Sequence, residues 1–202
     1  MIICAGDIEQ FEFAKSMGIG LIDIAINLTK VCLVNPPKSI LFVGSAGSYG
    51  DKKLLEIVES SSATNIENGF FNANSYTPTK NIISIINNVS HETISNSWNY
   101  DKYDFQRKQI LFNNNVSHET IVNSSNYITT DSNLAKLYLS TGIDIENMEF
   151  FSVLNVAKKF HIPVKGVFIV TNYCNEYAHR DFIHNHKKAM NILTKYIKKR
   201  EQ

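Results

Sequence analysis

The chain has 202 residues, of which 44% are hydrophobic, and a formal net charge of +1, so it can form one domain with a substantial core. The near-zero charge gives no electrostatic reason to expect nucleic acid or an anionic membrane as a partner, and no apolar run reaches the roughly 20 residues of a membrane-spanning helix. Three widely separated cysteines, Cys4, Cys32 and Cys174, lack metal-ligand spacing and indicate a reduced, cytoplasmic protein.

The first residues predict a strand followed by a helix. Residues 1–5 are apolar and short, and residues 8–17 predict a helix that turns Phe11 and Ala14 inward. Glu9 would then lie in the first helical turn, just beyond the strand. A carboxylate in that place is favoured by the helix dipole, which is the structural explanation and the one that position alone favours. The functional alternative is a general base at the carboxyl end of a strand.

A glycine turn, Gly18-Ile19-Gly20, opens the next helix. That helix is predicted over residues 21–33, because almost no polar residue interrupts them. A glycine turn at a helix start can bind a phosphate or another anion. A single pair of glycines is weak support for such a site.

The stretch Ile40 to Gly50 combines a buried strand with small residues. Ile40 to Val43 is a continuous apolar run that predicts a strand covered on both faces, and residues 44–48 predict a small-residue loop. Ligands of open α/β sheets bind at the carboxyl ends of such strands. Glycines there let a ligand approach the backbone. A plain strand-to-loop turn is the alternative.

The middle of the chain contains a duplication. Residues 52–58 fit a helix or a strand equally well, and residues 60–81 are polar and predict a loop. Residues 87–94 recur almost unchanged at 114–121. We interpret this as a tandem duplication in a single domain of residues 1–202, with about 87–113 as the insertion and the second copy as the structural one.

The duplicated His-Glu pairs resemble metal ligands only superficially. The pairs are His91-Glu92 and His118-Glu119. Adjacent residues of a strand point to opposite faces, so both cannot easily bind one ion. No metal site is predicted.

The C-terminal half alternates helices and a strand. Asp131 is a suitable N-cap for a helix that ends before Gly142, and residues 147–160 form an amphipathic pattern. Residues 164–170 predict a second buried strand, and residues 184–200 a final helix. Together these elements predict an α/β sheet with helices on both sides.

Small or polar clusters then meet at the carboxyl ends of the predicted strands. They comprise residues 6–9, residues 44–47 and Thr171-Asn172, with Met148-Glu149 opening a helix beside the last strand. Such convergence predicts a binding crevice.

The order of these motifs resembles the nucleoside phosphorylase/nucleosidase superfamily. The motifs are AG-x-x-E after the first strand, GIG, GSAG, NME and finally TN, and the likeness is closest to 5'-methylthioadenosine/S-adenosylhomocysteine nucleosidases and purine nucleoside phosphorylases. It covers residues 1–58 and 119–200. The resemblance implies a three-layer α/β/α fold with a central mixed sheet, a small-molecule purine nucleoside as ligand, no cofactor, and a homo-oligomer.

The resemblance also implies catalytic residues. Glu9 takes the position of the carboxylate that activates water, and Asn172 stands where the nucleosidases carry an aspartate that protonates the purine. An amide cannot act as a general acid, but it can donate and accept at a purine's N7 and exocyclic oxygen at once. We therefore predict a 6-oxopurine substrate, such as a nucleoside of hypoxanthine or guanine. A weakened or inactive site is the alternative.

Further residues implied by the resemblance bind substrate. They surround the nucleophile and ribose (Ser45, Ala46 and Gly47), the base (Tyr127 by stacking, Ile128 by its main chain) and the ribose hydroxyls (Met148 and Glu149). Cleavage of an N-glycosidic bond passes through an oxocarbenium-like sugar. A carboxylate at the hydroxyls fixes the sugar and favours positive charge beside it.

Water and phosphate are both candidate nucleophiles. Phosphorylases of the superfamily use arginines near the first loop and after the GSAG strand, and this chain has no arginine before Arg107. Lys15, Lys52 or Lys53 could substitute, but lysine is a poorer bidentate partner for phosphate. Hydrolysis is therefore favoured. Phosphorolysis with inorganic phosphate as co-substrate and nucleoside binding without catalysis are the alternatives.

Overall fold

A computed structural model of the chain describes residues 1–72, 76–86, 89–93 and 119–200. Within them, ten strands form one mixed sheet. The strands are β1 (Ile2–Cys4), β2 (Lys15–Ser16), β3 (Ile40–Ser48), β4 (Ile57–Ser60), β5 (Ser62–Thr64), β6 (Ile82–Ile86), β7 (Val89–Thr93), β8 (Ile121–Asn123), β9 (Ile145–Glu146) and β10 (Val164–Tyr173). The helices are α1 (Gly20–Val34), α2 (Ser132–Ser140), α3 (Phe150–Lys159) and α4 (Ala178–Arg200), with a 3-10 turn at Asn68–Phe70.

Strand β3 is the centre of the sheet. It pairs in parallel with β1 and with β10, and its last residues pair antiparallel with β9. The path runs β2-β1-β3-β9-β8-β5-β6-β7, while β10 lies between β3 and β4. Because β1, β3 and β10 are parallel, their carboxyl ends open at the same edge of the sheet.

Helices cover both faces of this sheet. Ile24 of α1 and Val153 of α3 belong to a core with Phe168 of β10, and Leu193 of α4 belongs to a second core with Val167 of β10. Successive residues of β10 thus point into opposite layers, as the pleat of a strand requires. The predicted α/β fold with a central mixed sheet and flanking helices is confirmed.

The N-terminal helix prediction is wrong. Residues 8–17 contain turns and β2 instead, because Gly6 and Asp7 adopt positive φ angles of 109° and 53° and reverse the chain. The backbone N–H of Glu9 donates to the carbonyl of Gly6 over 2.9 Å, and the chain then returns to add β2 beside β1. Glu9 begins no helix, so the helix-dipole explanation for its position does not apply.

The predicted small-residue loop after Val43 is also wrong. Strand β3 continues through residues 44–48, because β10 pairs with it over the whole length from Ile40 to Ser48. Most backbone groups of this stretch are therefore engaged in the sheet, while the N–H of Ser45 donates to the Glu9 carboxylate. A ligand would therefore contact the small side chains of residues 44–48 rather than a free backbone loop.

Several other boundaries differ from prediction. Helix α3 begins at Phe150 rather than 147, and α4 begins at Ala178 rather than 184. The ambiguous residues 52–58 end in strand β4. The predicted loop 60–81 contains β5 and the 3-10 turn, because β5 fills the gap between β6 and β8. Helix α2 agrees with prediction, since the Asp131 side chain accepts hydrogen bonds from two N–H groups of its first turn.

Most of the predicted insertion at 87–113, and His118 of the second copy, lie outside the described residues. Residues 89–93 of the first copy form β7, which pairs with β6. The Glu119 carboxylate accepts a hydrogen bond of 2.9 Å from the Ser62 hydroxyl, so it ties the chain to β5. The described ranges contain no cluster of three potential metal ligands, and none of their helices is long and apolar enough to cross a membrane.

Candidate active site

A cavity of about 280 Å³ opens where β1, β3 and β10 end. The structure brings every predicted site residue to its wall: Glu9, Ser45, Ala46, Gly47, Tyr127, Ile128, Met148, Glu149 and Asn172. They converge because parallel strands place their carboxyl ends at one edge. The role of each residue stays a prediction.

Glu9 and Ser45 form the first pair in this cavity. The Glu9 side chain is only 8% exposed. Its carboxylate accepts a short hydrogen bond from the Ser45 hydroxyl and bonds of 3.3 Å from the Ser45 backbone N–H. Burial raises the pKa of Glu9, although the hydrogen bonds from Ser45 favour the ionised form. A desolvated carboxylate of this kind is suited to accept a proton near neutral pH.

Gly44 and His186 also surround Glu9. A Cβ atom at Gly44 would lie 3.1 Å from Oε2 of Glu9, so the glycine leaves room for the carboxylate. Nε2 of His186 lies 3.0 Å from the carbonyl of Ile8, and a positive charge on this histidine would favour ionised Glu9. His186 was not predicted as a neighbour of Glu9, because only the packing of α4 against the first loop brings it there.

Glu149 lies deeper, with 3% of its surface exposed. Its Oε1 accepts a hydrogen bond of 2.8 Å from the backbone N–H of Gly20. Burial, together with the negative charge of Glu9, raises the pKa of Glu149 to about 7, against the hydrogen bond from Gly20. Glu149 therefore changes its ionisation in the neutral pH range.

Asn147 was not predicted as a site residue, yet it positions Glu149. Its Oδ1 accepts from the backbone N–H groups of Glu149 and Phe150, both at 3.0 Å. Its Nδ2 donates to the carbonyl of Ser45 over 3.0 Å. One amide thus caps α3 and ties it to β3. The sequence signal was an asparagine three residues before an apolar helical run.

The glycine turn before α1 does hold an anionic group, but that group belongs to the protein. Gly20 has a φ of 79°, which a glycine adopts without strain, and its N–H is bonded to Glu149. The next N–H, of Leu21, donates to Oδ1 of Asn126 over 2.9 Å. The first donors of the helix are therefore already satisfied.

Asn172 follows a bulge in β10. Val170 pairs with Ala46 and Asn172 pairs with Gly47, so Thr171 is the extra residue. The Asn172 amide is 6% exposed. It accepts a hydrogen bond of 2.9 Å from the Thr171 hydroxyl and donates one of 3.2 Å to the carbonyl of Tyr173. Bulges commonly re-aim side chains beside active sites, and this one brings the amide to the cavity wall.

Tyr127 and Ile128 lie at the mouth of the cavity. They are 78% and 53% exposed, and the exposed side chains of Ile8 and Ile19 line the cavity with them. The rim is therefore apolar. A planar ring that stacked on Tyr127 would cover much of this exposed surface.

Glu146 is a further cavity residue that was not predicted from the sequence. It lines the wall from β9. It accepts hydrogen bonds of 3.0 Å from the Tyr49 hydroxyl and from the backbone N–H of Thr129. Burial raises the pKa of Glu146, against these hydrogen bonds. An acidic residue directly before the NME motif was the only sequence signal.

Comparison with known proteins identifies relatives of this architecture. A family model described as the phosphorylase superfamily matches residues 2–199. No curated protein matches the chain at a significant level.

The solved structures include similar folds of low sequence identity. An Asp-to-Asn mutant of the Helicobacter pylori nucleosidase with 5'-methylthioadenosine in its active site has a TM-score of 0.71 at 16% identity, over 98% of this chain and 95% of that one. A mutant futalosine hydrolase of Helicobacter pylori has a TM-score of 0.70 at 18% identity, over 98% of this chain and 95% of that one. The 5'-methylthioadenosine/S-adenosylhomocysteine nucleosidase of S. pneumoniae, with a transition-state inhibitor, has a TM-score of 0.66 at 12% sequence identity. The match covers 97% of this chain and 95% of that one.

Proposed function

The chain belongs to the phosphorylase superfamily, and on this premise we propose that it hydrolyses the N-glycosidic bond of purine nucleosides. The observation that carries the proposal is the shared cavity of Glu9, Ser45 and Glu149. Two buried carboxylates with raised pKa values in one cavity are typical of a catalytic site rather than of a structural core.

In the proposed reaction, Glu9 takes a proton from the attacking water while Ser45 holds the carboxylate in place. Ionised Glu149 accepts hydrogen bonds from the ribose hydroxyls, and its negative charge favours the oxocarbenium-like sugar. The purine lies between Tyr127 and Asn172. Each group then acts on a different part of one nucleoside.

The charges around the cavity favour water over phosphate. Among the described residues, no lysine or arginine lines the cavity. Lys52 lies 3.8 Å from Asp144 in an ion pair, and Arg200 pairs with Glu59. The N–H of Gly20, the natural anion donor, is bonded to Glu149. A phosphate dianion would meet the carboxylates of Glu9, Glu146 and Glu149 without a lysine or arginine from the described cavity wall to compensate its charge, which is unfavourable.

The base that we propose is a 6-oxopurine. The amide of Asn172 has one unused N–H and one unused lone pair beyond its bonds to Thr171 and Tyr173. When N7 of hypoxanthine or guanine is protonated, the free lone pair can accept from N7–H while the free N–H donates to O6. Adenine with a protonated N7 presents two donors at these positions, N7–H and the amino group, and leaves the amide N–H without an acceptor. Because the relatives' names specify methylthioadenosine and futalosine, both compounds belong in the test panel.

A nucleoside panel tests the proposal. Inosine, guanosine, adenosine, 5'-methylthioadenosine and futalosine would be incubated with the protein, with and without phosphate, and the products separated by chromatography. We expect free base and free sugar at a rate independent of phosphate, and faster with inosine than with adenosine. Strict phosphate dependence with sugar 1-phosphate as product would instead establish phosphorolysis. A clear preference for adenosine would overturn the assignment of the base.

Nucleoside binding without catalysis is the second candidate, because Asn172 is not an acid. Calorimetry on the same panel distinguishes it. Binding without release of free base, at enzyme concentrations in the micromolar range, would favour a binding protein.

A homo-oligomer in the cytoplasm also remains a proposal. The oligomer is supported by exposed apolar side chains of α1, including Ile22, Ile26 and Leu33. The cytoplasmic location is supported by the free thiols of Cys4 and Cys32, which are buried. Light scattering on the purified protein would give the subunit number. A monomer at all concentrations tested would contradict the oligomer.

Gly47→Ala is expected to impair this site more than the fold. The new methyl would lie 2.9 Å from Sγ of Cys174, 3.0 Å from Nδ2 of Asn172 and 3.2 Å from Cγ of Glu146. Forcing it in would destabilise the protein by about 1–3 kcal/mol and displace the groups that face the base. We expect kcat/KM to fall by about 10²-fold, since small misplacements at a site are costly.

Gly142→Ala provides the matched control for Gly47→Ala. Gly142 has a φ of 85° but nothing within 4 Å of a Cβ position, so alanine strains the backbone and leaves the cavity alone. Its melting temperature should fall while its kcat/KM stays within about twofold of wild type. Equal activity losses in the two variants would contradict the role given to the space above Gly47.

A further inference from the structure

The proposed mechanism lacks a proton donor for the leaving purine, because Asn172 is an amide. The carboxylates that line the cavity are Asp7, Glu9, Glu146 and Glu149. Glu9 and Glu149 already act on water and ribose in the proposed reaction, and Asp7 is exposed. Among the described residues of the cavity wall, Glu146 is then the acidic group that is neither assigned to another step nor exposed.

We propose that Glu146 donates the proton to the leaving purine, in place of an acid at position 172. This inference rests on the proposed function. It assigns to β9 a catalytic residue that lies two strands away from the position of the nucleosidases' aspartate.

The sheet places Glu146 beside Asn172. Residues Glu146, Gly47 and Asn172 occupy paired positions on the adjacent strands β9, β3 and β10. A Cβ atom built on Gly47 would be 3.2 Å from Cγ of Glu146 and 3.0 Å from Nδ2 of Asn172. Both side chains therefore converge over the bare backbone of Gly47, and both line the cavity that would receive the purine.

The hydrogen bonds of Glu146 hold both of its oxygens in place. They accept from the Tyr49 hydroxyl and the Thr129 N–H, and the Thr129 side chain and the Cys174 thiol add two further hydrogen bonds. Three of these four donors are hydroxyl or thiol groups, whose hydrogens can rotate away when the carboxyl is protonated.

The surroundings of Glu146 favour its protonated form. Burial raises the pKa of this carboxyl. The titratable groups that face it are Tyr49 after β3, Tyr138 of α2 and Cys174 after β10, and burial raises the pKa of each of them as well. None of these neighbours supplies a positive charge that would hold Glu146 ionised.

The proton balance of the reaction then closes. Glu9 removes one proton from water, and the resulting hydroxide oxygen bonds to C1' of the ribose. The C1'–N9 bond breaks and its electron pair goes to the purine, while the Glu146 O–H proton moves to N7. The products are neutral base and free sugar. Glu9 is left protonated and Glu146 ionised, and solvent returns both to their starting states after product release.

A pair of substrates isolates this step in Glu146→Gln. Inosine has a leaving group that must be protonated, whereas 4-nitrophenyl β-D-riboside has one that leaves as a stable anion. We expect kcat for inosine to fall by about 10²–10³-fold, and kcat for the nitrophenyl riboside to change by less than about threefold. Glutamine can still accept from Thr129 and donate to the Tyr49 oxygen, so the variant should fold like wild type.

Asp144→Asn is the matched control for Glu146→Gln. Asp144 lies two residues earlier, does not line the cavity, and accepts from the backbone N–H of Ile121 over 2.8 Å, which asparagine can also do. Both substrates should retain wild-type kcat. Equal losses on both substrates in Glu146→Gln would overturn the inference, as would a higher KM with unchanged kcat, which would make Glu146 a residue that only recognises the base.

Tyr49→Phe gives a second readout that a purely structural role would not move. The Tyr49 hydroxyl favours the ionised carboxylate, so its removal raises the pKa of Glu146. A general acid works only while protonated, and the alkaline limb of kcat should therefore move to higher pH. An unmoved limb contradicts the assignment. If wild type cleaves no nucleoside and no riboside, the proposed function itself fails, which is a distinct result.

Discussion

Glu9→Gln is expected to lower kcat for nucleoside hydrolysis by about 10³-fold, because glutamine cannot accept a proton from water. Glu9 is buried and bonded to Ser45, so an amide of the same shape can keep one of these hydrogen bonds. The measurement is release of free base under single-turnover conditions. Activity that depends on ionised Glu9 falls as pH drops below its raised pKa, and the residual activity of the variant should lack this acid limb.

Glu12→Gln is the control for the Glu9 substitution. Glu12 lies on the same loop, is exposed and does not line the cavity. Its replacement should leave kcat within about twofold of wild type. Retention of more than about a tenth of wild-type activity in Glu9→Gln, well short of a general base's usual contribution, would mean that another group activates the water.

Glu149→Gln should lower kcat/KM on the order of 10³-fold and at the same time stabilise the protein. The loss corresponds to about 4 kcal/mol of transition-state stabilisation, within the range for one partner of a buried, charged hydrogen-bonded pair. The gain in stability arises because burial makes the ionised carboxylate unfavourable. Glutamine removes the charge and can still accept from Gly20.

The pH dependence of stability gives the sign of this effect. The pKa of Glu149 is about 7 in the folded protein, against an ordinary value of 4.5 for a glutamate. Between these values the folded state holds a proton that the unfolded state has released, so stability falls as pH rises through this window. The full penalty, on the order of 3 kcal/mol, is present above pH 7. Denaturant unfolding at pH 8 should therefore show Glu149→Gln as the more stable protein, and the difference should vanish near pH 4.5.

A 2'-deoxynucleoside tests whether Glu149 acts through the ribose hydroxyls. Wild type should lose much of its kcat/KM when the 2'-hydroxyl is absent, whereas Glu149→Gln should lose little more. Additive losses from the substitution and the missing hydroxyl would place the contact elsewhere.

The sequence could predict that the site residues lie together, because this depends only on the order of the motifs along the chain and on the strands being parallel. Ser45 and Asn172 are far apart in the chain, yet each follows an apolar run that can only be a central strand. Parallel strands open at the same edge, so these residues meet. The order of the short motifs then indicated the family, which the match over residues 2–199 confirms.

What could not be predicted depends on contacts between distant elements. Residues 8–17 have an apolar spacing that suits a helix, but the left-handed turn at Gly6 and Asp7 and the pairing of β2 with β1 override it. Glu146 has no distinctive pattern of its own. Its place in the cavity follows only from the antiparallel pairing of β9 with the end of β3.

The unpaired Thr171 makes the cavity sensitive to chain length at one position. Loss of that residue would leave Asn172 paired with Gly47, but it would remove the bulge and with it the local kink that directs the amide. The apolar stretch before Val170 would keep its register with β3. A one-codon deletion could thus silence the protein while sparing its core, which is a simple evolutionary route from an enzyme to an inert homologue.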